Sequence, residues 1–300
     1  MTSAMTLPLR FQVGARTMFA VRRRLVRIGL SLDEAMADRP IELPPLESAD
    51  HGYLVTSLPE TRLSGVVDLH ADMLGFVRQR YARRYADLSC SFDDYMATFS
   101  GKSRSTLRRK VRKFAKLTGG TLDLRAYRTA DEIAEFQGLA RRVSAKTYQE
   151  KLLDAGLPDD PGFEARMMRA AARDAARGWL LFADNEPVSY LYAPADGDTL
   201  IYAYLGYDPD WARHSPGTVL QVEAMRQIIE EGRFRRFDFT EGDGQHKRQF
   251  ATGSVDCVDL LLLRRTLGNR VLVAALKTFD AGIAFAKRLG LGGLARRLTR

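Results

Sequence analysis

The sequence predicts an α+β fold of the broad α/β class: a mixed, mostly antiparallel sheet flanked by helices. Three observations predict it. Between residues 179 and 205, three short runs of β-branched and aromatic residues are separated by polar turns, the pattern of an antiparallel meander. On either side of this stretch, apolar residues recur at helical spacing. The composition, 45% hydrophobic and 28% charged over 300 residues, suits a folded chain that buries a core as one large domain or two small ones.

The elements follow in order. Leu9 to Ile28 reads as a strand followed by a basic strand or helix, and Arg39 to Leu46 (RPIELPPL) as a proline-interrupted connector. Asp68 to Arg84 is a helix candidate. Residues 101–118 (GKSRSTLRRKVRKFAKLT) predict a helix with Leu107, Val111 and Phe114 on one apolar stripe, ended by Gly119 and Gly120. Thr121 to Tyr127 alternates like a strand, and helices are expected near 130–147 and 162–177. The meander comprises Trp179–Ala183, Val188–Ala193 and Thr199–Leu205, with turns at Asp184–Pro187 and Asp196–Asp198. A loop, a helix from Gly217 to Glu231 stopped by Gly232, and strands at Arg235–Thr240 and Val258–Leu263 complete the series. Leu272, Leu276, Phe279 and Ile283 then form an apolar stripe opposite Arg270, Lys277 and Arg288. Such a basic amphipathic helix packs on the body of the protein or lies on an anionic membrane. The chain shows no internal repeat, and the predicted division is 1–100, 101–265 and 266–300.

The net charge of +9 is clustered. Arg10–Arg27 holds six basic residues and no acid, Lys102–Lys116 eight and none, and Arg264–Arg300 nine with one acid. Clustering of this kind favours a polyanionic partner: a nucleotide, nucleic acid or anionic membrane. The two cysteines, Cys90 and Cys257, make no disulfide framework, and the four histidines lack metal-ligand spacing, so no metal is expected. The N-terminus has no secretory apolar region, and no uncharged stretch reaches the roughly 20 residues of a membrane helix. A cytoplasmic protein is expected, soluble or peripheral at the inner face of the membrane. Helix-turn-helix, zinc-finger and RNP-type signatures are absent, which counts against a nucleic-acid-binding module and leaves it resting on charge alone.

The chemistry concentrates at Arg213-His214-Ser215-Pro216-Gly217-Thr218, where a helix begins after the meander. A helix N-terminus presents unpaired N–H groups and the positive end of the dipole, and phosphates bind there. Gly217 allows close approach to the backbone, and Pro216 sits where its missing N–H costs nothing.

Meander, phosphate-ready turn, helix and strand, in this order, resemble the cofactor-binding half of the GNAT acyltransferases. Residues 103–250 resemble the GNAT branch associated with bacterial cellulose and exopolysaccharide biosynthesis, which is related to the Fem-type aminoacyltransferases. The shared features are Ser103, Arg104, Leu107, Arg108, Arg109 and Arg112 on the basic helix, Glu186-Pro187, Ser215-Pro216-Gly217, and Phe237-Asp238-Phe239 followed by Gly242, Lys247 and Phe250. The usual GNAT turn, R/Q-x-x-G-x-G/A, is matched by Arg213, but Pro216 and Thr218 replace its glycine and its glycine or alanine. The resemblance implies a GNAT fold with a divergent GNAT-like half in residues 1–100. It implies acyl-CoA or acetyl-CoA as the co-substrate, held by Leu205, Arg213, His214, Ser215, Gly217 and Thr218. A backbone N–H at Tyr204 or Leu205 would bind the thioester carbonyl.

Asp238 and Glu241 are the candidate general bases, with a structural hydrogen bond and a solvated turn as their respective alternatives. His214 is read as a phosphate contact before a base. Lys247 is a candidate for holding a phosphate or acceptor anion, or is a solvated lysine. Tyr190, Tyr192, Tyr202 and Tyr204 recur at spacing two and either pack in the sheet, line an acceptor groove or supply the proton for the thiolate; Tyr204 and Tyr202 are the site candidates. The expected function is N-acylation of an amine on a cell-envelope precursor, either an amino sugar or a lipid amine such as a sphingoid base. The alternatives are a Fem-like aminoacyltransferase using aminoacyl-tRNA and a non-enzymatic nucleic-acid binder.

Overall fold

Met5, Leu7, Leu9, Phe11 and Val13 alternate with Thr6, Pro8, Arg10 and Gln12, the period of two of a strand. β1 (Met5–Val13) and β2 (Arg16–Gly29) pair antiparallel, burying Leu9, Phe11 and Leu25, so the segment that reads as strand or helix is strand. The computed structural model describes residues 4–13, 16–37, 39–147, 156–242 and 244–288. The chain divides into two compact units, Met1–Tyr81 with Val255–Arg300, and Ala82–Ser254. These bounds lie apart from the sequence-based boundaries at 100 and 265.

In the first unit β2 runs parallel to β3 (Gly52–Pro59), which pairs antiparallel with β11 (Gly253–Arg264); β11 neighbours β4 (Met73–Asp87). The short helices α1 (Leu32–Met36) and α2 (Leu63–Leu69) join these strands. The predicted helix at 68–84 is therefore wrong: α2 ends at Leu69 and the rest is β4. The reason lies in burial. Met73, Phe76, Arg83 and Ala86 are the buried positions of β4, and their spacings of three and seven imitate a helix. The C-terminal helix spans Leu267–Arg288, and its predicted stripe is inside the unit: Leu272 and Leu276 are buried with Leu9, Phe11 and Leu263, and the Phe279 ring lies edge-on to Phe11 at 5.3 Å. Residues 289–300 of the predicted C-terminal segment lie outside the described residues.

The second unit carries the elements around the helix-start turn. α3 (Phe92–Ala97) and α4 (Gly101–Leu117) precede β5 (Asp123–Tyr127), α5 (Ala130–Ser144) and α6 (Pro161–Ala171). Ser100 caps α4 by accepting the Ser103 N–H at 3.2 Å, and Leu107 and Phe114 bury the stripe that the periodicity predicts. The helix expected over 162–177 stops at Ala171. The chain turns through Asp174 at φ 54°, and β6 (Ala176–Ala183) is already strand.

β6 and β7 (Glu186–Asp196) form a hairpin whose turn residues Asp184 and Asn185 both have positive φ, 52° and 62°, which suits the twist of paired strands. Every residue of β6 is buried because helices cover both faces. Trp179, Leu181 and Leu191 join one core with Val219, Leu220 and Met225, while Leu180, Phe182, Tyr190 and Tyr192 join the other with Ile133 and Phe136.

The predicted third meander strand is two: β8 (Thr199–Ile201) and β9 (Tyr204–Tyr207). β8 pairs with the end of β7 and runs parallel to β10 (Arg236–Asp238), which pairs antiparallel with β4; β9 pairs with Ser189–Tyr192 of β7. Between them come α7 (Pro216–Glu231), closed by Gly232 in the left-handed region as predicted, and α8 (Gln245–Phe250) after β10. The strand order from β4 is β4-β10-β8-β7-β6-β5.

Two contacts make the strand ends sensitive to substitution. Gly206 faces Tyr190 across the β7–β9 ladder, and a Cβ there would lie 2.5 Å from the ring. Gly206→Ala is expected to lower stability in chemical denaturation by about 1–3 kcal/mol through overpacking. Asp238, at the end of β10, is fully buried and bonds the buried Arg83 guanidinium at 2.6 Å. Arg83→Ala leaves that carboxylate without its cation, and a loss of about 3–5 kcal/mol in the same assay is expected.

Candidate functional site

The site starts where a ladder ends. β8 and β10 pair through Ile201 and Asp238, and the Tyr202 N–H donates to the Asp238 carbonyl at 2.8 Å. Beyond this point the strands part, because β9 continues along β7 alone. The Asp208 N–H donates to the Val188 carbonyl at 2.8 Å, which sets the phase of the antiparallel ladder. By that alternation Tyr204 and Gly206 direct their backbone polar groups at β7, while Leu205 and Tyr207 direct theirs at the open edge.

α7 begins against this edge. A Cβ on Gly217 would lie 3.2 Å from Leu205 and 3.3 Å from Tyr207, so the glycine lets the helix lie close to β9. Tyr202, Leu205, Ser215, Thr218, Gln221 and His246 line a cleft of about 290 Å³ beside it, with Phe250 at its wall.

The helix start is strained and positive. Ser215 takes the left-handed conformation (φ 56°, ψ 47°), its hydroxyl makes no cap bond, and its carbonyl takes the Thr218 and Val219 N–H groups. Pro216 stands at the first helical position, as predicted. The basic helix α4 is fastened here. Trp211 packs between Phe114 and His214, with ring centroids 5.8 and 5.5 Å away, and Lys110 Nζ lies 3.5 Å from the Thr218 hydroxyl. The Arg213 Nε–H donates to His214 Nε2 at 2.9 Å, which puts the imidazole proton on Nδ1, and Nδ1 has no partner. Desolvation and the charges of Arg213 and Lys113 hold His214 below the usual imidazole pKa. Lys110, Lys113 and Arg213 thus add to the helix dipole at one point, a setting that favours an anion.

The structure brings together Tyr202, Leu205, Ser215, Gly217 and Thr218 from the sequence-predicted set. It places others elsewhere. Tyr204 lies on the opposite face, edge-on to Phe163 at 5.5 Å, among the aromatic core with Tyr192. The break at residues 202–203 changes the parity, so Tyr202 and Tyr204 do not share a face although two residues apart. Asp238 is committed to Arg83 and also accepts the Thr240 N–H at 2.8 Å. Glu241 is exposed, and its carbonyl accepts a bond from Lys247 Nζ. Lys247 also reaches the Thr240 hydroxyl at 3.4 Å; burial lowers its pKa while Asp238 and Glu241 oppose the shift. It ties the β10–α8 connection together outside the cleft lining.

Three cleft residues escape the sequence reading as site candidates: Gln221, His246 and Lys110 at its edge. Gln221 lies four residues after Gly217 and His246 four before Phe250, so each shares a helix face with a recognised motif residue. That spacing is the signal that points to them. The His246 ring is open to solvent on one side and packs against Tyr202 on the other, with centroids 5.6 Å apart. Partial burial, and then the Lys247 charge, lower its pKa, whereas burial pushes the Tyr202 phenol up.

Among the described residues, no group of three or more His, Cys, Asp or Glu side chains is disposed to hold a metal ion, and no helix is long and apolar enough to cross a membrane. Comparison with curated proteins gave no match. Among solved structures, the chain is similar to the C-terminal domain of a putative lysylphosphatidylglycerol synthetase from Agrobacterium fabrum, with 13% identity over 77% of this chain and 73% of that one and a TM-score of 0.53. It is also similar to FemX, with 10% identity over 87% of this chain and 88% of that one and a TM-score of 0.53. At these identities the likeness is one of fold. Residues 101–248 match the family described as an acetyltransferase (GNAT) domain, and with the mixed, mostly antiparallel sheet around the parted strands, the chain carries a GNAT-type acyltransferase domain.

Proposed function

We propose that the domain is an N-acyltransferase that moves an acyl group from acyl-CoA to an amine on a cell-envelope precursor. The observation that carries the reading is the open edge of β9 beside the positive start of α7. The residues present suit the donor: the α7 N-terminus, Lys110 and Arg213 for its phosphates, and the Leu205 N–H for a carbonyl oxygen. Acyl-CoA supplies the acyl group, activated as a thioester. The Leu205 N–H stabilises negative charge on that oxygen. His246, kept neutral by its lowered pKa, takes the proton of the amine. The proton taken up by His246 passes to the leaving thiolate, and Tyr202, packed against His246 and kept protonated by burial, offers a hydrogen bond there. This reading moves the base from Asp238 and Glu241 to His246, because Asp238 is held by Arg83 and Glu241 is not part of the cleft lining.

The acceptor class rests on the resemblance to the exopolysaccharide branch: an amino sugar, or a lipid amine such as a sphingoid base, met in the cytoplasm or at the inner membrane face. Membrane docking through the C-terminal helix loses support, since its Leu272–Leu276 stripe is buried. A second reading, aminoacyl-tRNA as donor, is favoured by α4, which carries eight basic residues. Among the described residues the ion pair made by α4 is Arg108–Asp93, 3.9 Å apart and exposed.

Isothermal titration with acetyl-CoA and palmitoyl-CoA tests the donor. One ester is expected to bind, and Lys110→Ala to weaken it by about tenfold, the loss of one charge-assisted hydrogen bond. If neither ester binds while tRNA binds with steep salt dependence, the second reading replaces the first. The pH profile tests the base. A neutral imidazole is required, so kcat/KM should fall only as pH drops through a value below the usual 6.5 of histidine. His246→Gln should abolish that acid limb and lower kcat by about 10²–10⁴-fold; an unchanged profile would remove His246 from the mechanism.

A further inference from the structure

Gln221 lines the cleft, and its side-chain amide is unmet and shut off from solvent beneath the cleft wall. It sits one turn into α7 from Gly217, on the same helix face, and is 3% exposed. Neither Nε2 nor Oε1 has a hydrogen-bond partner. Buried side-chain amides in native folds nearly always have partners, and an exception calls for a cause. The other cleft walls do not supply one: Leu205 and Phe250 are apolar there, and Tyr202 presents its ring to His246.

A carboxamide offers a donor and an acceptor in one plane. A secondary amide, with its donor and acceptor on separate atoms of one plane, can satisfy both, whereas a hydroxyl brings both functions to a single atom. The opposite wall has the same character, because the open edge of β9 offers the N–H and C=O groups of Leu205 and Tyr207. A charged ligand group would leave one half of the Gln221 amide unpaired, and an alkyl chain would leave both.

We propose that Gln221 reads a secondary amide in the arm of the ligand that fills the cleft, pairing with it opposite the β9 edge. This rests on the acyl-CoA reading, since CoA carries such amides between its phosphates and its thiol. Gln221 is then a specificity residue that discriminates amide-bearing donors from other anionic thioesters.

The test compares CoA with 3′,5′-ADP, which has phosphates and no amide arm, on wild type and Gln221→Met, an apolar side chain of the same length. The variant is expected to bind CoA about tenfold more weakly. It should bind 3′,5′-ADP as wild type does and melt no lower than wild type, because an unpaired buried amide has been removed. Equal weakening of both ligands, or CoA binding unchanged, overturns the proposal. If wild type binds neither ligand, the donor reading falls, and S-acetyl-N-acetylcysteamine, a thioester with one amide and no phosphate, decides the rest. A shift of the Gln221 side-chain amide resonances, assigned by their loss in Gln221→Met, supports amide recognition; unmoved resonances overturn it.

Discussion

Where β8 and β10 stop pairing, the fold must satisfy backbone and side-chain polar groups that have no strand beside them, and much of the second unit is arranged around that point. Asp238 is the last residue of β10, fully buried, and its carboxylate would be intolerable there alone. Arg83 on β4 supplies the cation, and the Thr240 N–H supplies a further bond that holds Thr240 in the left-handed region at φ 60°. With the end of β10 fixed, the chain turns away from β9, Lys247 closes the turn by binding Thr240 and Glu241, and α8 carries His246 and Phe250 back to the gap. The ion pair contributes no net attraction that can be assumed large, since desolvation offsets most of it. Its importance is directional: it sets where the strands part.

The parting also explains which features were legible in the sequence. Elements governed by local rules were read well. The α4 stripe of Leu107, Val111 and Phe114 at helical spacing, the Asp184-Asn185 turn, and Gly232 after α7 each depend on neighbours a few residues away. Elements governed by distant partners were not. Strand β4 lies beside β11 and β10, and its buried residues fall at 73, 76, 83 and 86, a spacing that imitates a helix. The split of Thr199–Leu205 into β8 and β9 is set by Phe237 and Asp238, more than thirty residues on, and it reverses the face of Tyr204 relative to Tyr202.

The candidate site divides in the same way. The turn at Arg213–Thr218 follows from helix-start chemistry and was visible. Asp238 is legible as a candidate base or as a structural hydrogen-bonding group, and its alternation with Phe237 and Phe239 gives only the face of its side chain. Alternation does not show that Arg83 waits there. Gln221 and His246 carry no motif of their own, and only the convergence of α7 and α8 on the cleft brings them together.

The α7 start concentrates unfavourable features within eight residues: the His214 Nδ1 without partner, Ser215 in a left-handed conformation, and both polar atoms of Gln221 unpaired. Each costs stability on its own. They are sustained because the other side of the same helix is deeply packed, with Val219, Leu220, Ala224, Met225 and Ile228 all wholly buried against the sheet. The core therefore imposes a geometry on the cleft face that the cleft face would not adopt unaided. A ligand that supplies an anion to the helix start and an amide to Gln221 gains the energy of groups already oriented and already stripped of water, without an ordering cost at the moment of binding. The same argument gives Gly217 a different role from the one its motif suggests. Its missing side chain lets the helix approach Leu205 and Tyr207, so the distance between the α7 start and the β9 edge is set by packing before any ligand arrives.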